Sequence, residues 1–301
     1  MQVEQPLVAP VALAEPGLAR SRSQAAIVWG SFRRNRGALI GGAILLALIL
    51  LALLAPWIAP YDPLQPAILQ RLQPPSPNHL FGTDQFGRDT FSRVLYGGRT
   101  SLWLGLVAVG LSVAIGGFLG LLAGYYRGAV DLVVSRVVDL MLAMPRILLA
   151  LVIVFTLGTG VTNVMIAVGI SGVPDYARLI RSSTLAAREH VYVEAARVIG
   201  VPNWRIMARH ILPNVVAPLI VVGTLGLGAA ILSAAGLSFL GLGAQPPVIE
   251  WGLMLSDGRS MLSVAWWLTA FPGLAIMLAV LAVNLLGDGL RDALDPRLRA
   301  R

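Results

Sequence analysis

The chain has no cysteine and no lysine among its 301 residues. The first absence excludes disulfides, thiolate metal sites and cysteine nucleophiles. The second is more restrictive, because all 23 basic residues are arginine. A P-loop needs a lysine to reach the β and γ phosphates, so the chain cannot house a standard Walker A site. Schiff-base chemistry is excluded too. If ATP drives this protein, another chain must bind it. Charge is also scarce, at 13% of residues against roughly 25% in ordinary soluble domains. The three histidines, His79, His190 and His210, are scattered and lack ligand spacing, so no metal site is expected. The net charge of +8 fits either a nucleic-acid binder or the arginine excess of an inner membrane face. Long windows without any charge favour the second reading, with a lipid bilayer and not nucleic acid as the partner.

What is present is hydrophobic, at 56% of residues, in runs matching the roughly 20 residues that a spanning helix needs. The expected fold is an all-α polytopic membrane protein with six transmembrane helices. Residues 1–35, with prolines 6, 10 and 16, read as a cytoplasmic tail without a signal peptide. Arg33, Arg34 and Arg36 precede a first span over about 36–59. A loop over 60–99 follows, rich first in proline and then in Gly82, Asp84, Gly87, Arg88 and Asp89. It is expected to be turn-rich and outside. A five-helix core fills 100–290, with spans near 102–125, 132–157, 161–180, 215–240 and 264–286. Residues 291–301 form an inner tail. Gly116, Gly120 and Gly124 share one face of the second span, suiting either close packing or a moving contact. The third span carries Asp131, Arg136, Asp139 and Arg146. Asp139 and Arg146 are candidates for a translocation path, or else members of ion pairs at the inner face. With both termini inside, 18 arginines fall on or near the inner side and 5 outside, so the termini are expected in the cytoplasm.

The same topology puts residues 181–213 in the cytoplasm. This polar stretch holds Arg181, Arg188, Arg197, Arg205 and Arg209. It reads as two short helices, the first over about 185–199, stopped by Gly200. Pro202 suits the first turn of the second. Trp204, Ile206 and Met207 are apolar on a water-phase helix, so either a partner's groove or this chain's own helices must bury them.

The pattern Glu194-Ala195-Ala196, Gly200, Leu212-Pro213 resembles the EAA motif of ABC-importer permeases. His210 departs from the general pattern, but the run Arg209 to Asn214 is similar to that of the peptide branch. Three further stretches resemble the C-type permease of the dipeptide, oligopeptide and nickel branch. They are Phe81 to Arg93, Leu237 to Gly252, and Asn284 to Pro296. The resemblance implies a type I ABC-importer permease fold in the bacterial cytoplasmic membrane. It also implies partners: a homologous second permease, two ATPase subunits and an extracytoplasmic binding protein. No cofactor would sit on this chain, since ATP and magnesium would be held by the ATPases. Coupling would fall to Glu194, Ala195, Ala196, Gly200, Trp204, Met207, His210, Leu212 and Pro213. The loop with Gly82, Asp84, Arg88 and Asp89 would receive the binding protein or close an outer gate, or else form an internal salt-bridge cluster. The cargo would be peptides, with nickel chelates, glutathione or haem as alternatives. A transporter working alone would leave the apolar cytoplasmic helices unexplained, and no catalytic constellation points to an enzyme.

Overall fold

The computed structural model describes Gly30 and residues 32–294. The expected tails therefore lie largely outside the described residues. The first long helix, α1 (Arg36–Leu53), is followed by the short α2 (Ala55–Ile58). Next come α3 (Thr90–Tyr126), α4 (Gly128–Leu142), α5 (Arg146–Leu157) and α6 (Val161–Arg188). The segment that follows contains α7 (Val191–Val198), α8 (Asn203–Ile206) and a wide π-helical turn over Met207–Ile211. The chain closes with α9 (Leu212–Phe239), α10 (Trp251–Gly258) and α11 (Trp267–Leu294).

Among the described residues, four helical stretches are long and apolar enough to cross a membrane: α1, α3, Asn203–Phe239 and α11. The pair α4 and α5 makes a fifth if counted as one, but it bends by 94°. The third span is therefore not the single straight helix expected over 132–157. Pro145 stands at the break. It offers no N–H to a preceding carbonyl and pushes Met144 away from helical geometry. Two other boundaries differ from expectation. Helix α3 begins at Thr90, inside the expected loop, because the Asp89 carboxylate caps it by accepting from the Ser92 N–H at 2.8 Å. Helix α6 falls outside the apolar set, as it carries Asp175, Arg178, Arg181 and Arg188.

The glycine face of α3 explains the central packing. A β-carbon on Gly116 would lie 2.5 Å from the Val173 carbonyl oxygen, and one on Gly124 would lie 2.7 Å from Thr184. Gly120 faces the Ala177 carbonyl still more closely. Small residues let α3 and α6 meet backbone to backbone, and the Ser112 hydroxyl donates across to the Gly169 carbonyl at 2.6 Å. Around this seam Leu104, Ala108, Val154, Val164, Val168 and Leu237 form a core of side chains from α3, α5, α6 and α9. Helix α1 packs on α11. Gly41 lies against the Ala282 carbonyl, and the Asn35 amide donates to Asp292 at 3.0 Å. The start of the first helix and the end of the last thus lie side by side.

The stretch before α3 is an ordered knot. Asp84 accepts from the backbone N–H of Phe86 and Arg88 at 2.8 and 2.9 Å, and from Arg88 Nε at 2.6 Å. His79 bridges Asp89 at 2.9 Å and Gln70 at 3.0 Å. The Trp267 indole donates to the Thr83 carbonyl at 3.1 Å, pinning the knot to α11. Gly87 has φ +77, and a β-carbon there would run into the Ala67 carbonyl. Gly87→Ala is therefore expected to destabilise the protein by about 2–3 kcal/mol, through overpacking and backbone strain together. A lowered melting temperature in detergent checks this, and an unchanged one counts against it.

Candidate functional site: an exposed helix pair between α6 and α9

Residues 189–211 interrupt two long helices and project from one end of the bundle. The first short helix is not continuous from Leu185 as expected. Residues 185–188 belong to α6, the chain breaks at Glu189 and His190, and α7 starts at Val191. Gly200 behaves as the sequence suggests. It lies in the left-handed region at φ +79. Its N–H bonds the Arg197 carbonyl at 3.0 Å, and the Val201 N–H bonds the Ala196 carbonyl at 3.0 Å. This paired closure is a Schellman motif, which a residue without a β-carbon adopts most readily. The space beside Gly200 is open for 4 Å, so backbone conformation, not packing, requires glycine there.

One side of the pair is anchored. Val193, Ala196, Ile206 and Ile211 are buried with Tyr125, Ile180 and Val215, and Met207 packs against this cluster. Ile206 and Met207 thus fold back onto the chain's own helices. The other side is bare. Val191 is 80% exposed, Val198 82%, Ile199 78% and Trp204 62%. Glu194 and Ala195 lie on the exposed side, as do Leu212 and Pro213, while His210 is half-buried. Glu194 makes no ion pair with the described residues. Val191, Val198 and Ile199 are exposed over a larger fraction than Trp204, yet sequence reasoning missed them. The signal was the apolar doublet Val198-Ile199 directly before a glycine stop.

Tyr125, at the end of α3, holds the pair in place. Its hydroxyl donates to Asn203 at 2.8 Å, and the Arg197 guanidinium sits 5.3 Å from its ring centre. Its carbonyl accepts from Arg188. Through its side chain and its carbonyl this one residue touches α6, α7 and α8. The wide turn after α8 has a cause in Pro213, which has no N–H to give the Arg209 carbonyl one turn earlier. Tyr125→Phe should remove only the Asn203 bond, at a cost of about 1 kcal/mol. The measured drop in melting temperature should be small. A loss comparable to a core truncation would show that the hydroxyl does more than anchor.

The other candidates are placed differently. Asp139 pairs with Arg178 at 2.8 Å, and Arg146 approaches Asp175 at 3.7 Å. Asp131 binds Arg181 through both carboxylate oxygens. These pairs tie α4 and α5 to one side of α6. Asp139 therefore reaches across to another helix and not to Arg136, three residues before it. Gly82, Asp84 and Asp89 are buried and Arg88 is half-buried, so this group forms the framework of the knot. Sequence reasoning also missed Glu250, which is 1% exposed. Its carboxylate caps α10 at Gly252 and Leu253 and accepts from Ser101 at 3.1 Å.

Comparison with known proteins converges on one family. Residues 116–300 match the binding-protein-dependent transport system inner membrane component family. Residues 23–75 match the N-terminal transmembrane domain of oligopeptide transport permease C. The dipeptide transport system permease protein DppC of Alkalihalophilus pseudofirmus is 49% identical over 89% of this chain and 88% of its own length. The di/tripeptide transport system permease protein DppC of Pseudomonas aeruginosa is 47% identical over 90% and 91%. A glutathione transport system permease protein GsiD of Escherichia coli is 49% identical over 90% of each chain. Among solved structures, a chain of the inward-facing MetNI methionine ABC transporter aligns with a TM-score of 0.54 at 19% identity, over 67% of this chain and 97% of that one. That likeness shows a shared fold. The chain belongs to the family of inner membrane components of binding-protein-dependent transport systems, as a multi-pass protein of the inner membrane.

Proposed function

We propose that this chain is a permease subunit of an ATP-binding-cassette importer that moves short peptides into the cell by alternating access. The observation that carries the reading is the bare apolar side of α7 and α8. Val191, Val198, Ile199 and Trp204 are exposed on a base that is anchored by a buried cluster, as a surface awaiting a partner is. In this reading the partner is an ATPase subunit. Glu194, Ala195, Ala196, Gly200, Trp204, Met207, His210, Leu212 and Pro213 form or support the docking surface. The chain spans the membrane six times, counting α4–α5 once and including α6, with both ends in the cytoplasm. A homologous permease completes the pathway, two ATPase subunits dock beneath, and a binding protein delivers cargo outside. ATP and magnesium stay on the ATPases, so this chain does no catalysis. Nucleotide binding can shift the bundle only by favouring one arrangement of the docked loops over the other. The peptide assignment is supported by the names of the dipeptide and di/tripeptide relatives. Glutathione is the alternative supported by another.

The experiment is ATP-driven uptake by the reconstituted transporter, with labelled dipeptide, oligopeptide, glutathione and nickel chelate compared. Peptide uptake upholds the proposal, whereas uptake of nickel chelate alone overturns the cargo. Gly200→Val adds a test of coupling. It forces a β-branched residue into the left-handed region, at about 1–2 kcal/mol, in a spot with open space. Expected is continued ATP hydrolysis with less peptide moved per ATP. An unchanged ratio would remove Gly200 from the coupling set.

A further inference from the structure

At the opposite end of the bundle, a cleft of about 370 Å³ opens between the knot before α3 and the loop leading into α10. That volume lies within the range of small-ligand sites. Its walls are apolar, with Phe86, Val248 and Leu253 among them, and three charged side chains, Arg88, Arg93 and Asp257, reach it. Arg93 donates to the Pro63 carbonyl at 3.2 Å and approaches Asp84 at 3.7 Å, whereas Arg88 and Asp257 are incompletely satisfied among the described residues. Arg88 spends its Nε on Asp84 at 2.6 Å, which leaves its two terminal nitrogens without a hydrogen-bonded acceptor there. Asp257, on α10, makes no hydrogen bond or ion pair there. Burial holds the Asp257 carboxyl above the ordinary carboxylate range. Arg93 and Arg88 pull against that effect, and Asp84 adds to it. Gln85 also lines the cleft, adding an amide able to donate or accept.

We infer that this cleft binds the zwitterionic ends of a short peptide. The peptide carboxylate lies at the terminal nitrogens of Arg88, its ammonium at Asp257, and its side chains against the apolar walls. The chemistry is selective. Guanidinium and carboxylate pair through parallel hydrogen bonds. An unpaired carboxylate in a partly buried place gains from a donor cation. A purely apolar ligand would leave Arg88 and Asp257 unanswered, and an anion or a cation alone would answer only one of them. The inference rests on the peptide reading above and adds to it a receiving site on this chain, away from the docking loop.

The test uses the full transporter in nanodiscs without its soluble binding protein, with L-alanyl-L-leucine as the probe. Saturable binding is expected. Acetylation of the probe's amino group should weaken it by about tenfold, the scale of one charge-assisted hydrogen bond. Asp257→Asn should weaken the free peptide by the same factor and abolish the difference between free and acetylated probe. Because Asp257 makes no bonds among the described residues, this variant is expected to fold. Amidation of the probe's carboxyl group tests the Arg88 half without any mutation. Absence of saturable binding overturns the inference, as does an acetylation effect that persists in Asp257→Asn. Uptake measured in parallel separates the two readings. Peptide import without cleft binding overturns the cleft alone, and cleft binding without import upholds the cleft and overturns the cargo assignment.

Discussion

Replacing Ile199 with aspartate and Trp204 with alanine in one chain is expected to abolish both ATPase association and ATP-driven uptake. Both side chains are exposed, at 78% and 62%, and neither belongs to the cluster that anchors the loop. The folded bundle should therefore keep its melting temperature within about 1 °C, as surface changes do. An interface anchor such as Trp204 contributes about 2 kcal/mol or more, close to thirtyfold in affinity. Aspartate at position 199 adds a charge that docking would strip of water, at a cost of several kcal/mol. Together the two changes should weaken docking by about a thousandfold or more. Co-purification of the ATPase and uptake rate are the measurements. Full transport in this variant would mean that the bare surface meets lipid, or nothing at all.

The second large effect concerns the seam between α3 and α6. Gly120→Val places a branched side chain against the backbone of Ala177 and Arg181. Neither backbone can yield without parting the two helices. Overpacking of this kind costs about 1–3 kcal/mol when side chains can adjust, and more where the obstacle is a helix backbone. The seam also carries the Gly116 and Gly124 contacts and the Ser112 bond, so spreading at one point loosens its neighbours. Expected is a sharp fall in folded protein and in thermal stability. Gly110→Val on the same helix is the control, since a β-carbon there meets nothing within 4 Å. Equal stability of the two variants would contradict the close-packed seam.

Periodicity along a single helix was readable from the chain itself. The spacing of Gly116, Gly120 and Gly124 indicated one shared face, and the structure turns that face onto α6. Gly200 could be assigned to a helix stop because few residues tolerate its backbone conformation. Features that depend on helix rotation or on distant partners were not readable. Asp139 had Arg136 as its sequence neighbour, yet Arg178 of α6 supplies its partner. The bend at Pro145 hid within a run that is apolar on both sides. Val191, Val198 and Ile199 look like core residues by type, and only the fold turns them outward. Asp257 and Arg88 lie far apart in sequence, so their shared cleft exists only once α10 folds back over the knot.

Because the chain has no cysteine, a single introduced thiol can report on the exposed helix pair alone. In the assembled transporter, Ile199→Cys introduces the chain's one thiol at the exposed surface proposed for docking. Crosslinking with a short thiol–amine reagent, in membranes with and without ATP, reads both partner and sidedness. Expected are a crosslink to the ATPase subunit whose yield changes with nucleotide, and protection of the thiol from membrane-impermeant reagents added outside intact cells. Ready labelling from outside, or a crosslink to no ATPase under any nucleotide condition, would contradict ATPase docking at this surface.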